Sequence, residues 1–279
     1  MNPFSTYRFR LAGVIAITLA AFLPGTGQAQ LSPYYLTGGN VSKVFVIQNG
    51  SVVSTIPTVT VSTSGAYEYP IAVYASTFRT SNSVPGSGNG YEYTLSGTPT
   101  GASYSLTSPI GSAWDSTTDG SHNYLVDFSG GTVYQTGLDF SNPVALFGGL
   151  GPSAYLGITY DPTNNSLWVS GWSTNQVIDF SMSGTQLSSF AAAPTSGLLT
   201  SLALEPTTGT LWMGTQNTGV LYQYSKSGVL LQTITVPALL NLDILGGEFS
   251  FTAIPEPAPL ALLSVGVLTL LGFRRWRRT

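Results

Sequence analysis

Four acidic residues recur at similar places along the chain and are the first candidates for chemistry. Asp115, Asp161 and Glu205, with Asp243 as a weaker fourth, each lie near the end of a run that is typical of a first strand. A ring of such carboxylates could bind Ca²⁺, which prefers oxygen ligands, or could serve a secreted hydrolase, lactonase or lyase. The alternative is structural, because an acidic side chain at a strand exit accepts hydrogen bonds from turn amides. No D-x-[DN]-x-[DN]-G calcium loop occurs, so the sequence favours the structural interpretation and indicates no cofactor, with calcium as the alternative.

Other catalytic chemistry is limited by the residues that the chain lacks. It contains no cysteine and a single histidine, His122, in the turn-like segment DGSHNYLV. Thiol nucleophiles, Cys-ligated metals and zinc sites with two histidines are therefore excluded, and a Ser-His-Asp triad would have to use His122. We expect His122 to be structural or exposed.

Aromatic side chains are the second group of candidates, because exposed rings can stack on sugars. Trp168 and Trp212 occupy matching positions in two copies of an internal repeat, which predicts that both lie in the core. Trp172 has no such aromatic counterpart, since Gln216 stands at the matching position. Trp172 is therefore the candidate for a surface aromatic that contacts a ligand.

The elements that position these residues form a repeat. Segments 156–190 and 200–234 align without a gap at an offset of 44 residues, and each contains four short runs typical of strands. Four strands in about 44 residues is the size of one propeller blade. Fainter copies lie at 34–56, 89–106 and 111–147. In a weak, blade-level sense the pattern resembles NHL or gluconolactonase-like propeller repeats.

We predict an all-β fold, a β-propeller of about five four-stranded blades over residues 30–254. Six blades are the alternative if residues 57–90 contain a further partial blade, and an unclosed β-solenoid or sandwich array is the other. The copy at 34–56 lacks its inner strand, while segment 241–254 follows the last full copy. Pairing of these two ends would close the ring and remove two exposed sheet edges.

Charge excludes one class of partner. Between residues 31 and 254 the chain carries three basic and eleven acidic side chains, a net charge of −8. Such a body should repel nucleic acid, because the phosphate backbone is bound by Lys and Arg.

Both ends of the chain have the composition of targeting segments. Residues 1–29 are predicted to be a signal peptide, with an apolar run at 11–23 and small residues Gly27 and Ala29 before a signal peptidase site. The alternative is a short N-terminal membrane anchor. Residues 258–273 are predicted to be a transmembrane helix; the alternative is a buried C-terminal helix. A basic cluster follows it and favours the cytoplasmic side, leaving the body outside; its members are Arg274, Arg275, Arg277 and Arg278.

The order Pro255-Glu256-Pro257, apolar helix, basic cluster over residues 255–279 resembles the PEP-CTERM sorting signal, also labelled the C-terminal domain of ice-binding proteins. The resemblance implies an exosortase as partner, in the inner membrane of a Gram-negative bacterium; genomes of such bacteria often carry exopolysaccharide loci. It also implies a membrane-anchored precursor and a mature protein at the cell surface or in the extracellular matrix. Ice binding is disfavoured, because regularly spaced rows of Thr on a flat face are missing from the sequence.

The function that we expect is a non-catalytic one, in which the propeller binds a glycan or a protein partner outside the cell. The alternative is a secreted hydrolase, lactonase or lyase that uses channel carboxylates, with or without calcium.

The sorting interpretation predicts a processed C-terminus. Mass spectrometry of the protein released from its native cells should find a mature C-terminus near Pro255, because the family's sorting enzyme acts at Pro-Glu-Pro. Released protein that retains its arginine-rich tail would contradict the prediction.

Overall fold

The computed structural model of the protein describes residues 32–39, 41–60, 67–194 and 197–250. The expected signal peptide (1–29), sorting motif (255–257), apolar helix (258–273) and basic cluster lie outside these residues. Within the described ranges, no helix is long and apolar enough to cross a bilayer.

The described residues form five antiparallel sheets of four strands, which we number as blades 1 to 5. Blade 1 has the order β20 (Ile244–Phe249), β1 (Tyr34–Gly38), β2 (Lys43–Gln48), β3 (Ser51–Pro57). Blade 2 contains β4 (Glu68–Val73), β5 (Thr77–Asn82), β6 (Gly90–Thr94), β7 (Pro99–Tyr104). Blade 3 contains β8 (Ser116–Thr118), β9 (Asn123–Asp127), β10 (Thr132–Thr136), β11 (Val144–Phe147). Blade 4 contains β12 (Tyr155–Asp161), β13 (Ser166–Gly171), β14 (Gln176–Ser181) and β15 (Gln186–Ala191). Blade 5 contains β16 (Leu199–Glu205), β17 (Thr210–Thr215), β18 (Thr218–Tyr224) and β19 (Leu230–Leu240).

The blades form a closed ring. Their first strands β20, β4, β8, β12 and β16 contact one another in that order, and β16 contacts β20 again. The predicted five-bladed propeller is therefore confirmed. The described residues between 57 and 90 do not form a sixth blade, because β4 and β5 are the first two strands of blade 2.

Ring closure uses the two ends of the described chain, as the incomplete first repeat predicted. Strand β20 pairs with β1 in antiparallel register, with Phe249 opposite Tyr34 and Gly247 opposite Leu36. The rings of Tyr34 and Phe249 stack with centroids 4.5 Å apart. Blade 1 thus takes its inner strand from the C-terminal side and its other three strands from the N-terminal side.

Packing between blades explains why two tryptophans repeat. Trp168 of blade 4 is 1% exposed and packs among residues of blade 5 such as Leu204 and Tyr222. Trp212 of blade 5 is 2% exposed and packs against residues of blade 1 that include Ile47. Both predicted core positions are confirmed.

The repeated Ser-Gly turns also serve the contact between blades. Gly184 and Gly228 have φ angles of 83° and 85°, a region that glycine enters without steric cost. A Cβ atom at Gly184 would lie 2.5 Å from Cβ of Phe147, and one at Gly228 would lie 2.6 Å from Cβ of Phe190. Each turn therefore lies directly against the outer strand of the preceding blade.

The closing strand has no room for a larger residue at Gly246. A Cβ atom there would overlap the carbonyl oxygen of Tyr69 and lie 2.9 Å from that of Trp114. We expect Gly246→Ala to lower the free energy of unfolding by about 2 kcal/mol or more, because overpacking against backbone cannot relax by a rotamer change. Urea denaturation followed by tryptophan fluorescence measures this.

Gly148→Ala is the matched control, since a Cβ atom there meets nothing closer than Oγ1 of Thr132 at 3.3 Å. If the two variants unfolded at the same urea concentration, the tight approach at the closing strand would not matter for stability.

Candidate functional site

The central channel has two mouths of different chemistry. Residues at the starts of inner strands or directly after second strands line a cavity of about 240 Å³, which we call the aromatic mouth; they are Tyr69, Trp114, Phe128, Leu156, Trp172, Gln216, Asp243 and Leu245. Residues at the ends of inner strands, together with Lys226 from an outer turn, line a second cavity of about 60 Å³, which we call the polar mouth; they include Thr117, Tyr160, Leu204, Glu205, Glu248 and Phe249. The inner strands therefore all run from the aromatic mouth to the polar mouth.

Asp115 lies between the two mouths and is completely buried. Its Oδ1 accepts hydrogen bonds from the backbone amides of Ser116 (3.0 Å) and Gly247 (2.9 Å). Its Oδ2 accepts from the amides of Ile158 (3.2 Å) and Leu202 (3.1 Å). Burial raises the pKa of Asp115 well above its ordinary value, and the four amide donors oppose that shift. One side chain of blade 3 is thus bonded to the inner strands of blades 4, 5 and 1.

Asp161 is committed to an ion pair. Its Oδ2 lies 2.5 Å from Nζ of Lys226 and accepts a longer bond, 3.3 Å, from Nε1 of Trp168, while Oδ1 accepts from the amide of Thr163 in the turn. Burial acts to raise the pKa of Asp161, but the hydrogen bond and charge of Lys226, together with the bonds from Thr163 and Trp168, lower the pKa overall.

Glu205 and Asp243 lie at opposite mouths. Glu205 accepts from the amide (2.6 Å) and hydroxyl (2.5 Å) of Thr208 and from the hydroxyl of Ser32 (2.8 Å). These bonds overcome the effect of burial and lower its pKa. Asp243 accepts from Nε2 of Gln216 at 3.0 Å.

The four carboxylates do not converge at one mouth of the channel. Asp115 is inside the channel, Asp161 and Glu205 are turn residues at the polar end, and Asp243 is at the aromatic end. Among the described residues, no group of three or more His, Asp or Glu side chains is arranged to hold a metal ion. The calcium arrangement considered from the sequence is therefore not present in this part of the chain.

The repeat position of Asp115 was misassigned. In blade 3 the acid of the turn after the first strand is Asp119, whose Oδ1 accepts from the amides of Ser121 and His122 at 2.7 Å each. This matches the roles of Asp161 and Glu205. His122 lies in the same turn, with Nδ1 3.6 Å from Oδ2 of Asp119, and is partly exposed.

The aromatic mouth contains a continuous chain of rings. Centroid distances are 5.1 Å for Tyr67–Tyr69, 5.1 Å for Tyr69–Trp114, 5.9 Å for Trp114–Phe128 and 5.4 Å for Phe128–Trp172. Four of the rings are partly exposed, and Tyr69 is buried beneath them. The indole Nε1 atoms of Trp114 and Trp172 are buried without a hydrogen-bond partner. The structure therefore places Trp172 in a larger aromatic surface, most of which the sequence did not indicate.

A repeat relation could have revealed part of this surface. The residue directly after the second strand of blades 3, 4 and 5 lines the aromatic mouth in each case; these residues are Phe128, Trp172 and Gln216. Successive members are 44 residues apart. Trp172 has repeat counterparts after all; their side chains differ, but the position always faces the same cavity.

The fold is found in many solved structures. A chain of a nidogen/laminin complex is similar over 79% of this chain and 98% of its own, with 12% identity and a TM-score of 0.52. A protein of unknown function from Bacteroides caccae matches over 73% of both chains, with 14% identity and a TM-score of 0.46. A catalytically inactive virginiamycin B lyase from Staphylococcus aureus with quinupristin matches over 76% of this chain and 72% of its own, with 12% identity and a TM-score of 0.46.

At these identities the similarity concerns the fold alone. No family model and no curated protein matches the chain. The protein is a five-bladed β-propeller.

The position of Asp115 predicts a large structural effect. Asp115→Asn keeps the shape but turns an NH₂ group toward amide donors, so we expect a loss of about 3 kcal/mol or more in the free energy of unfolding. Asp139→Asn is the control, because Asp139 is exposed and bonds only within its own turn; it should change stability by less than about 1 kcal/mol. Urea denaturation of both variants checks this, and equal stabilities would contradict a central role for Asp115.

Proposed function

We propose that this protein is an exported, non-catalytic propeller that binds a glycan through its aromatic mouth. The observation that carries the proposal is the chain of rings from Tyr67 to Trp172 around a cavity of about 240 Å³. Aromatic rings at the mouth of a rigid barrel or propeller channel are a preformed binding surface, since little side-chain freedom is lost on binding.

The chemistry of the aromatic mouth suits a sugar. Ring faces can pack against the C–H face of a pyranose, while the unpaired indole N–H groups of Trp114 and Trp172 are donors for hydroxyl groups or bridging water. Gln216 and Asp243 supply an amide and a carboxylate at the same mouth. Because the cavity is smaller than most drug-sized pockets, one terminal sugar unit is the expected ligand.

Binding without hydrolysis is favoured by the acids at this mouth. Among the described residues that line it, Asp243 is the only carboxylate, and it is hydrogen-bonded to Gln216. Glycoside hydrolysis ordinarily uses a pair of carboxyl groups on either side of the scissile bond. Asp115 does not supply the second, since its oxygens already accept four amide hydrogen bonds.

The proposed route to the cell surface agrees with where the chain leaves the propeller. Ser32 is bonded to Glu205, and Ser250 lines the polar mouth, so both described ends lie at that mouth. Residues 251–257 can span at most about 25 Å. In a precursor held by the predicted C-terminal helix and processed by an exosortase, the polar mouth would therefore face the membrane and the aromatic mouth would face exopolysaccharide or other external partners.

Glycan binding at the aromatic mouth predicts a selective effect of Trp172. In affinity electrophoresis of the purified full chain through gels containing dextran, xylan or galactomannan, we expect retardation by at least one polysaccharide. Trp172→Ala should weaken that binding about tenfold, the loss of one stacking contact worth roughly 1.4 kcal/mol.

Two control variants separate recognition from folding. Val229→Ala removes a side chain that is 58% exposed on an outer turn and should bind like the wild type. Trp168→Phe, in the core, should lower the melting temperature while leaving the affinity of the folded protein unchanged. Retardation that is unaffected by Trp172→Ala would overturn the proposed site, and no retardation by any of the three polysaccharides would count against a neutral glycan as the ligand.

A further inference from the structure

The polar mouth has its own chemistry, which neither the ring closure nor glycan binding explains. Polar and apolar side chains both line it. The apolar ones come from strand ends and the turns that follow them; they are Tyr160, Pro162, Leu204, Pro206 and Phe249. The cavity of about 60 Å³ is too small for a sugar ring and has roughly the volume of two water molecules. It suits the end of a slender, unbranched group.

Glu248 lines this cavity and is only 5% exposed. Its Oε1 accepts a hydrogen bond from the amide of Phe249 at 3.0 Å, but its Oε2 is buried without a partner. Buried polar atoms in folded proteins are nearly always hydrogen-bonded, so an unbonded oxygen beside a cavity points to a ligand that donates hydrogen bonds.

The charges around Glu248 favour a cation as the ligand of this cavity. Asp161, Glu205 and Glu248 lie at this end of the channel, and Lys226 is the cation among the described residues that line the cavity. Nζ of Lys226 is already 2.5 Å from Asp161, so it does not neutralise Glu248. Burial raises the pKa of Glu248, a hydrogen bond from the neighbouring Thr117 hydroxyl opposes that shift, and the charge of Asp115 adds to it.

The residues that line the cavity indicate which type of cation would fit it. Ca²⁺ requires six to eight oxygen ligands, which the described residues do not assemble here. A guanidinium group is planar and carries five N–H donors, and a single free carboxylate oxygen cannot accept hydrogen bonds from all of them. A primary ammonium on an alkyl chain fits both parts of the cavity, because its methylene groups contact apolar walls while its compact charged end meets the carboxylate.

We propose that the polar mouth is a second binding site, which takes a primary alkylammonium group with its nitrogen at Glu248. The alkyl stem contacts the apolar part of the wall, which includes Leu204 and Phe249. The same chemistry is carried by a lysine side chain and by a free polyamine. The site is independent of the aromatic mouth, so it stands whether or not the protein binds glycans.

Isothermal titration calorimetry of the purified full chain in detergent, with n-butylammonium as the probe, tests the proposal. We expect saturable binding of n-butylammonium and at least tenfold weaker binding of n-butanol, which has the same stem without the charge. Equal binding of the two would overturn the proposal by showing a merely apolar cavity, and no binding of n-butylammonium would overturn it as well.

Variants locate the site. Glu248→Gln should weaken n-butylammonium binding at least tenfold, and Asp139→Asn, which removes an exposed acid that does not line the cavity, should leave it unchanged. Lys226→Met should strengthen binding severalfold, because it removes the competing positive charge. The thermal transition of each variant shows whether it is folded. If Glu248→Gln does not fold, Lys226→Met tests the proposal instead. Unchanged or weaker binding of n-butylammonium to Lys226→Met would then overturn the assignment.

Two further titrations identify the source of the ammonium group. Nα-acetyl-lysine amide and spermidine both present a primary ammonium on an alkyl chain. Tighter binding of the lysine derivative supports a partner protein, and tighter binding of spermidine supports a free polyamine. Failure of both, after n-butylammonium has bound, would restrict the site to simpler alkylamines and contradict both sources.

Discussion

The carboxylate of Asp115 is the contact on which the geometry of the channel depends. Inner strands of neighbouring blades do not pair with each other, so amide groups on their inward edges need acceptors that the ladders do not provide. A carboxylate has two oxygens with capacity for four donors, and the inner strands supply four amides. These bonds reduce the cost of burying the charge without cancelling it, and they hold strands from four blades at one point.

Threonine hydroxyl groups extend the same principle around the ring. The amide of Tyr160 donates to Oγ1 of Thr117 at 3.0 Å, and the amide of Leu204 donates to Oγ1 of Thr159 at 2.9 Å. Each bond joins a residue of one inner strand to the inner strand of the next blade, 43 or 45 positions away. Asp115 and these hydroxyl groups fill the middle of the channel. They separate an aromatic cavity from one that contains Glu205 and Glu248, so the two mouths differ in chemistry.

The sequence predicted the features that every blade repeats, but not those that depend on contacts between strands of several blades. Trp168 and Trp212 repeat because every blade needs the same core contact with the next, so blade number and closure followed from the offset of 44 residues. Asp115 broke the pattern: its partners come from blades 4, 5 and 1, and an alignment of repeats placed it where Asp119 belongs. Glu248 was missed for a similar reason, because only ring closure brings the last strand beside the ends of other inner strands.

The pairing of β20 with β1 that closes the ring also determines at which mouth the ends of the described residues lie. Because β20 and β1 are antiparallel neighbours with Phe249 opposite Tyr34, the beginning of one and the end of the other must lie at the same mouth. The strand pairing that removes the exposed edges of the ring therefore brings both ends of the described residues to the polar mouth. Under the proposed sorting route, the aromatic rings are left at the far side of the molecule by the topology alone. A propeller closed with its ends at the other mouth would turn the same rings toward the membrane.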